Sequence, residues 1–230
     1  MKNIFFTLVF ALLYSSTQAQ QLTGAWMRKL DTAVQYLTVV DEYFVITTID
    51  VEGKKFYETK GGTAKIDGKK MSGIIEFNTS NKLEVKSNYS FDYSFKKKDL
   101  IMPIDGNQTA WIWLDDANVG LAGNWKITGR MQDGKLIPMN PGARKTIKVL
   151  SGTRFQWTAI NTETGEFFGT GGGHYTFING KYTEHIEFFS RDATRVGSSL
   201  SFDASIKEGN WHHSGNSSKG DPIYEIWSRK

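Results

Sequence analysis

Residues 59–92 read TKGGTAKIDGKKMSGIIEFNTSNKLEVKSNYSFD, and residues 170–203 read TGGGHYTFINGKYTEHIEFFSRDATRVGSSLSFD. Laid over each other at an offset of 111, the two stretches share Thr59/Thr170, the Gly61-Gly62 and Gly172-Gly173 pairs, Ile75-Glu76-Phe77 with Ile186-Glu187-Phe188, and Ser90-Phe91-Asp92 with Ser201-Phe202-Asp203. The match extends without a gap from Phe44–Ile101 to Phe155–His212, with 19 of 58 columns identical. Chance at average composition gives roughly 3 to 4. Upstream, Leu22-Thr23-Gly24-Ala25-Trp26 answers Leu121-Ala122-Gly123-Asn124-Trp125 at an offset of 99, and Trp113 and Trp227 lie in comparable closing segments. The second copy therefore carries about twelve extra residues within Gly129–Arg144, a stretch whose Gly134, Pro138, Pro141 and Gly142 read as a long loop. A period of about 100 residues exceeds any solenoid unit, so the repeat predicts a duplicated domain.

Each copy reads as antiparallel β. Short runs rich in Val, Ile, Thr, Tyr and Phe recur between Asp-Gly, Asn-Gly, Glu-Gly and Lys-Gly dipeptides, and no segment past the leader sustains helical periodicity. Strands in that number and spacing predict a sandwich or a small up-and-down barrel in each copy. The expected organisation is a leader over 1–19, copy one over 20–118 and copy two over 119–230.

The leader follows from Lys2, the apolar stretch Ile4 to Tyr14, and Thr17-Gln18-Ala19 with small residues where signal peptidase requires them. It predicts export to the periplasm or beyond the cell. With no Cys in the 230 residues, an N-terminal lipid anchor on Cys, disulfides, Cys-ligated zinc and a thiol nucleophile all fall away together. No later stretch has the roughly 20 apolar residues of a membrane helix, so no membrane insertion is expected. A net charge of +4, spread along the chain, gives no footprint for nucleic acid.

Gly-x-Trp on the first strand of each copy, followed by about seven further β segments, resembles the calycin plan of lipocalins, fatty-acid-binding proteins and avidins. The resemblance implies two tandem calycin-like small barrels in which Trp26 and Trp125 close one end. It also implies an Arg from the last strand packed over that Trp. Arg229, after Glu225-Ile226-Trp227, answers for copy two, whereas Trp111-Ile112-Trp113-Leu114 of copy one is followed by Asp115 and Asp116. Copy two is also similar to secreted bacterial lipocalin-like domains of unknown function, through Tyr182-Thr183-Glu184 and its Glu-x-Trp-x-Arg ending.

The Asn179-Gly180 dipeptide sets a two-residue turn, which pairs Phe177 with Tyr182, Tyr175 with Glu184 and His174 with His185. Alternation then places Tyr175, Phe177, Tyr182, Glu184, Ile186 and Phe188 on one inward face. A buried carboxylate needs a partner, a water or a ligand, which singles out Glu184. Copy one has Ala64, Ile66, Met71 and Gly73 at the positions of Tyr175, Phe177, Tyr182 and Glu184, and Ile46 at that of Trp157, so the functional copy is expected to be the second. The expected ligand wall is Trp157, Tyr175, Phe177, Tyr182 and Phe188, with Glu184 and Glu225 as its polar groups, around a small, partly apolar or aromatic molecule. The competing expectation is a filled barrel that satisfies Glu184 internally, in a cell-envelope structural or interaction protein.

Catalysis has a thinner basis. No Gly-x-Ser-x-Gly occurs, and Gly169-x-Gly171-Gly172-Gly173 precedes a strand, so it reads as a turn or a barrel bend. A hydrolase or isomerase reading rests on Glu184 and Glu225 as its acid pair. All four His lie in copy two, at 174, 185, 212 and 213, without a metal-binding motif, so neither a metal nor a cofactor is expected.

Overall fold

The computed structural model describes residues 22–229 apart from 53, 105, 107–109, 140–141 and 218. The expected leader, 1–19, lies outside the described residues. The chain is all-β. The first half runs β1 (Gly24–Lys29), β2 (Val34–Val40), β3 (Tyr43–Asp50), β4 (Lys55–Thr63), β5 (Lys65–Asp67), β6 (Lys70–Asn78), β7 (Asn88–Asp92), β8 (Ser94–Lys96), β9 (Asp99–Ile101) and β10 (Ile112–Asp115). The second half runs β11 (Gly123–Gln132), β12 (Lys135–Pro138), β13 (Arg144–Leu150), β14 (Arg154–Asn161), β15 (Phe167–Ile178), β16 (Lys181–Phe189), β17 (Ser199–Lys207), β18 (Asn210–Asn216) and β19 (Pro222–Arg229). In the second half β11 pairs with both β13 and β19, which closes an eight-stranded antiparallel barrel. The first half is a curled sheet in the order β10-β1-β2-β3-β4-β6, with β7 on β6 and the β8–β9 hairpin apart.

Of the extra residues of the second half, 129–138 form a hairpin rather than a loop, and 140–141 lie outside the described residues. β11 runs on into β12 across Asp133-Gly134, whose φ values of 51° and 73° are those of a type I′ turn. The pairing of the closing segments also differs from the sequence expectation. Trp111 bridges Leu100 as Trp227 pairs with Trp211, so Trp111 is the counterpart of Trp227, whereas Trp113 is exposed opposite Trp26.

The β15–β16 register is the expected one around the turn, with Phe177 opposite Tyr182, Tyr175 opposite Glu184 and His174 opposite His185. Further along, Gly173 pairs with Ile186 but Gly172 pairs with Phe188, so Glu187 is the extra residue of a β-bulge. The bulge inverts the alternation beyond it. Tyr182 and Ile186 enter the barrel core and Phe189 packs against it, whereas Phe188 turns to the other half and stacks on Phe56 with ring centroids 6.2 Å apart. The expected ligand-wall role of Phe188 is therefore corrected. The first half has the same bulge between Gly61 and Gly62, and Phe77 likewise faces the second half. A Cβ on Gly62 would lie 1.9 Å from the Ile74 carbonyl oxygen, and one on Gly173 would lie 1.9 Å from that of His185.

The outward faces of β3–β4 and β14–β15 pack on each other in matching pairs. Phe56–Phe188 is answered by Phe77–Phe167 at 6.4 Å. Tyr43 donates to Glu76 at 2.6 Å, and Arg154, at the position equivalent to Tyr43, forms a two-pronged pair with Glu187 at 2.7 and 2.9 Å. At the centre Thr47 and Thr59 meet Thr158 and Thr170. Gln156 accepts from Thr47 at 2.6 Å and donates to Thr59 and Thr170 at 3.0 Å each, so the buried hydroxyl layer is satisfied. Asp115 fixes the edge of this contact by accepting from Ser151 Oγ, the Gly152 and Thr153 amides and Thr153 Oγ1 at 2.6–3.0 Å.

Because Gly173 has backbone, not a flexible side chain, where a Cβ would go, Gly173→Ala is expected to cost at least about 3 kcal/mol in a urea unfolding experiment, at the upper end of single substitutions. Gly209→Ala, with nothing within 4 Å of its Cβ position, carries only the strain of its φ of +77° and is expected to cost clearly less.

Candidate functional site

Strict alternation on β13 and β14 divides each strand between two tasks. Ile147 and Val149 face the first half, and Lys148 and Leu150 face the barrel interior; Gln156 and Thr158 face out, and Phe155 and Trp157 face in. Lys148 is thus a lysine delivered into a core. Its ammonium donates to Glu184 Oε1 at 2.7 Å, with about 6% of each side chain exposed. Three ring centroids surround it, Trp211 and Trp227 at 5.2 Å and Tyr182 at 5.4 Å. Carboxylate and aromatic faces together compensate the lost hydration of the ammonium.

Beside this pair, His213 on β18 lies opposite Glu225 on β19. Glu225 accepts from Arg130 at 2.7 Å and from the Trp227 indole at 3.1 Å. Burial alone would push the Glu225 carboxyl up, but its contact with His213 and the charges of Lys148 and Arg130 outweigh that and hold it at about 2. Burial lowers His213 below the usual imidazole value of 6.5, the nearby Lys148 charge adds to this, and the two glutamates offset it only in part. His213 is therefore neutral at pH 7. Its Nδ1 lies 3.5 Å from Glu225 Oε2 without hydrogen-bond geometry, so neither ring nitrogen has a hydrogen-bond partner among the described residues. Tyr182 Oη and Trp211 Nε1, on rings that touch His213, are buried and unpartnered as well. Four orphaned polar atoms in one contact cluster depart from the near-complete satisfaction of protein interiors.

Lys148, Glu184, His213 and Glu225 border a cavity of about 320 Å³ at one end of the barrel. Its polar lining includes Arg130, Lys148, Glu184, His213 and Glu225, and its apolar walls include Trp157, Phe189, Leu200, Phe202, Ile223 and Trp227. Of the residues expected from sequence, the cavity brings together Trp157, Glu184 and Glu225. Tyr175 and Tyr182 fill the core behind it, with Tyr175 donating to the Ser151 carbonyl at 2.7 Å. Phe177 sits at the hairpin end, 38% exposed and away from the cavity, and Phe188 serves the contact between halves. Lys148, Arg130 and His213 are polar cavity residues that the sequence-expected site did not include. The signal was present, because Lys148 and Leu37 hold the same place, each on the second strand opposite the Gly-x-Trp tryptophan.

At the other end, the Arg229 guanidinium lies 4.7 Å from the Trp125 ring centroid and donates to the Ala122 carbonyl at 2.5 Å, while the Trp125 indole donates to Leu121. Trp26 makes the same indole bond to Leu22, but its neighbour is Phe95 at 5.7 Å rather than an Arg. His174 and His185 stack at 4.5 Å, their Nδ1 atoms engaged by Glu187 and Ser199. No group of three or more His, Asp or Glu suited to a metal ion occurs among the described residues.

Removing one member of the buried pair strands the other, so Lys148→Met and Glu184→Gln are each expected to lower stability by about 3–5 kcal/mol. Lys148→Met combined with Glu184→Gln should cost clearly less than the two single losses added together, read as a double-mutant cycle by chemical denaturation. Glu225 adds a pH signature. Its folded-state value lies below its unfolded one, so its contribution is complete above about pH 4.5 and is lost as pH falls towards about 2. That difference corresponds to about 3 kcal/mol, and Glu225→Gln should flatten the acid limb of the stability profile by a comparable amount.

No protein-family model matches the chain, and no curated protein matches it.

Proposed function

We propose that the protein is an exported binding module that holds a small neutral ligand in the second-half barrel. The single observation that carries this reading is His213, 2% exposed, neutral and without a hydrogen-bond partner at the edge of a roughly 320 Å³ cavity. A neutral imidazole offers one N–H and one lone pair. The fitting ligand pairs a donor and an acceptor with an apolar or aromatic body that lies against Trp157, Phe189 and Trp227. The three lining cations, Lys148, Arg130 and Arg195, already face the carboxylates of Glu184, Glu225 and Asp192, which disfavours an ionic ligand.

The same proposal takes the two halves as tandem calycin-like units that arose by duplication. Its supports are the 58-residue self-match at an offset of 111, the bulge shared at Gly62 and Gly173, the Gly-x-Trp starts and the placement of Arg229 over Trp125. Export rests on residues 1–19 and predicts that N-terminal sequencing of the secreted protein starts at Gln20 or Gln21. A hydrolase or isomerase is the second reading, favoured by the common cavity of Glu184 and Glu225. Against it, Glu225 at about 2 has no proton to donate near neutrality.

The test is native mass spectrometry of the protein purified from its own host. A bound small molecule that is released on unfolding and absent from His213→Ala is expected. A ligand at about one hundred times its dissociation constant should also raise stability by about 2.7 kcal/mol. No adduct in the wild type, or one that His213→Ala retains, contradicts the reading.

A further inference from the structure

The first half, expected from sequence to be the supporting copy, has a cavity in the same place and of about 610 Å³. Gln35, Ile75, Tyr89 and Phe91 line it, and the residues 111 positions on, Thr146, Ile186, Leu200 and Phe202, line the cavity of the second half. The wall opens for a local reason. In the second half β18 continues through His213 and Ser214 and pairs with β17 as far as Gly215 opposite Phe202. In the first half β9 ends at Ile101 and is followed by Met102-Pro103, and Pro103 has no N–H to offer a neighbouring strand. β7 is left with β6 as its one partner among the described residues, and the cavity opens along the free side, between Ser90–Phe91 and Ile104.

The chemistry of the two cavities differs. Where the second half has Trp157, Phe189 and Arg195, the first has Ile46, Asn78 and Glu84. Tyr89 and Phe91 stack on each other at 5.3 Å with a 26° interplanar angle and supply one aromatic wall. Lys60 stands at the open side and donates to the Ile104 carbonyl at 2.9 Å, its one hydrogen bond among the described residues, so further N–H groups can serve a ligand. Glu58 and Glu84 are the acceptors, and Asn88 and Ser90 lie exposed at the mouth. Two carboxylates against one ammonium disfavour an anion, and the density of amide, hydroxyl and carboxylate groups disfavours a purely apolar molecule. Stacked rings bordered by such groups match a ring with an apolar face and a rim of hydroxyls.

We propose that this first-half cavity is a second binding site, for a neutral saccharide unit, with Lys60 and Glu58 bonding its hydroxyls and the Tyr89–Phe91 pair packing on its ring face. It is independent of the ligand proposed for the second half.

The test is calorimetric titration of the full mature chain with cellobiose, maltose, lactose and chitobiose, together with retention on cellulose, starch and chitin. Binding of at least one disaccharide with a dissociation constant below about 1 mM is expected. Lys60→Met and Asn88→Ala should each weaken it about tenfold or more, and His213→Gln should leave it unchanged. Asn88 is exposed, so its replacement reads binding without a folding penalty. Retention on a matching polymer identifies a glycan chain as the target, and binding of the free disaccharide alone identifies a soluble sugar. No heat with any of the four at about 10 mM and no retention on any polymer overturns the proposal, as does binding that survives both first-half substitutions or is lost in His213→Gln.

Discussion

The bulge at Gly173 is the constraint on which the arrangement depends. A strand with unbroken alternation would send Glu184, Ile186 and Phe188 to one face. By adding Glu187 to one side of the ladder, the bulge lets β16 put Glu184, Ile186 and Phe189 towards the barrel cavity and Phe188 into the contact between the halves. Only glycine permits it, because the His185 carbonyl occupies the space a Cβ would take. The first half repeats the device at Gly62 and so supplies Phe77 for the reciprocal stack. One local irregularity thus supplies both the wall of a cavity and the joint that holds two cavities in one molecule.

The contact between the halves combines apolar and polar packing. Val40, Val45 and Phe77 pack with Ile147, Val149 and Ile160, while Gln156 and four threonine hydroxyls form a satisfied layer in the middle. Buried polar groups of this kind fix alignment, because sliding one half over the other would leave their hydrogen bonds unmade. Asp115 adds a second register mark by binding the turn at Ser151–Thr153. Trp113, not an Arg, holds the place opposite Trp26 that Arg229 holds opposite Trp125, and Asp115, two residues on, tethers the neighbouring half.

Much of the architecture was legible in the sequence, and the exceptions have physical causes. Asn179-Gly180 fixed the hairpin register because a type I′ turn admits one pairing, and the shared Gly-Gly pairs marked the repeat. Phe188 was misplaced because period-two reasoning cannot see a bulge. The Gly129–Arg144 insertion was read as a loop because its Gly and Pro residues outweighed Asp133-Gly134, itself a hairpin signal. Lys148 was missed because a lysine between isoleucine and valine suggests a solvent-facing position; in a strand covered on both faces, that position is an interior one. The orphaned state of His213 depends on atoms from three strands and has no sequence signature. Dismissal of the first half followed from comparing side chains alone, since the early end of β9 before Pro103 is a backbone feature.

The central claim is that the second-half barrel keeps a neutral, unpartnered imidazole at the wall of its cavity. Nitrogen-detected NMR of His213 across pH tests it most directly. The account predicts that His213 titrates below 6.5 and is neutral at pH 7, and that its two ring nitrogens shift when the host ligand binds. Titration of His213 above 6.5, as an imidazolium paired with Glu225, or ring nitrogens indifferent to the ligand, would contradict it.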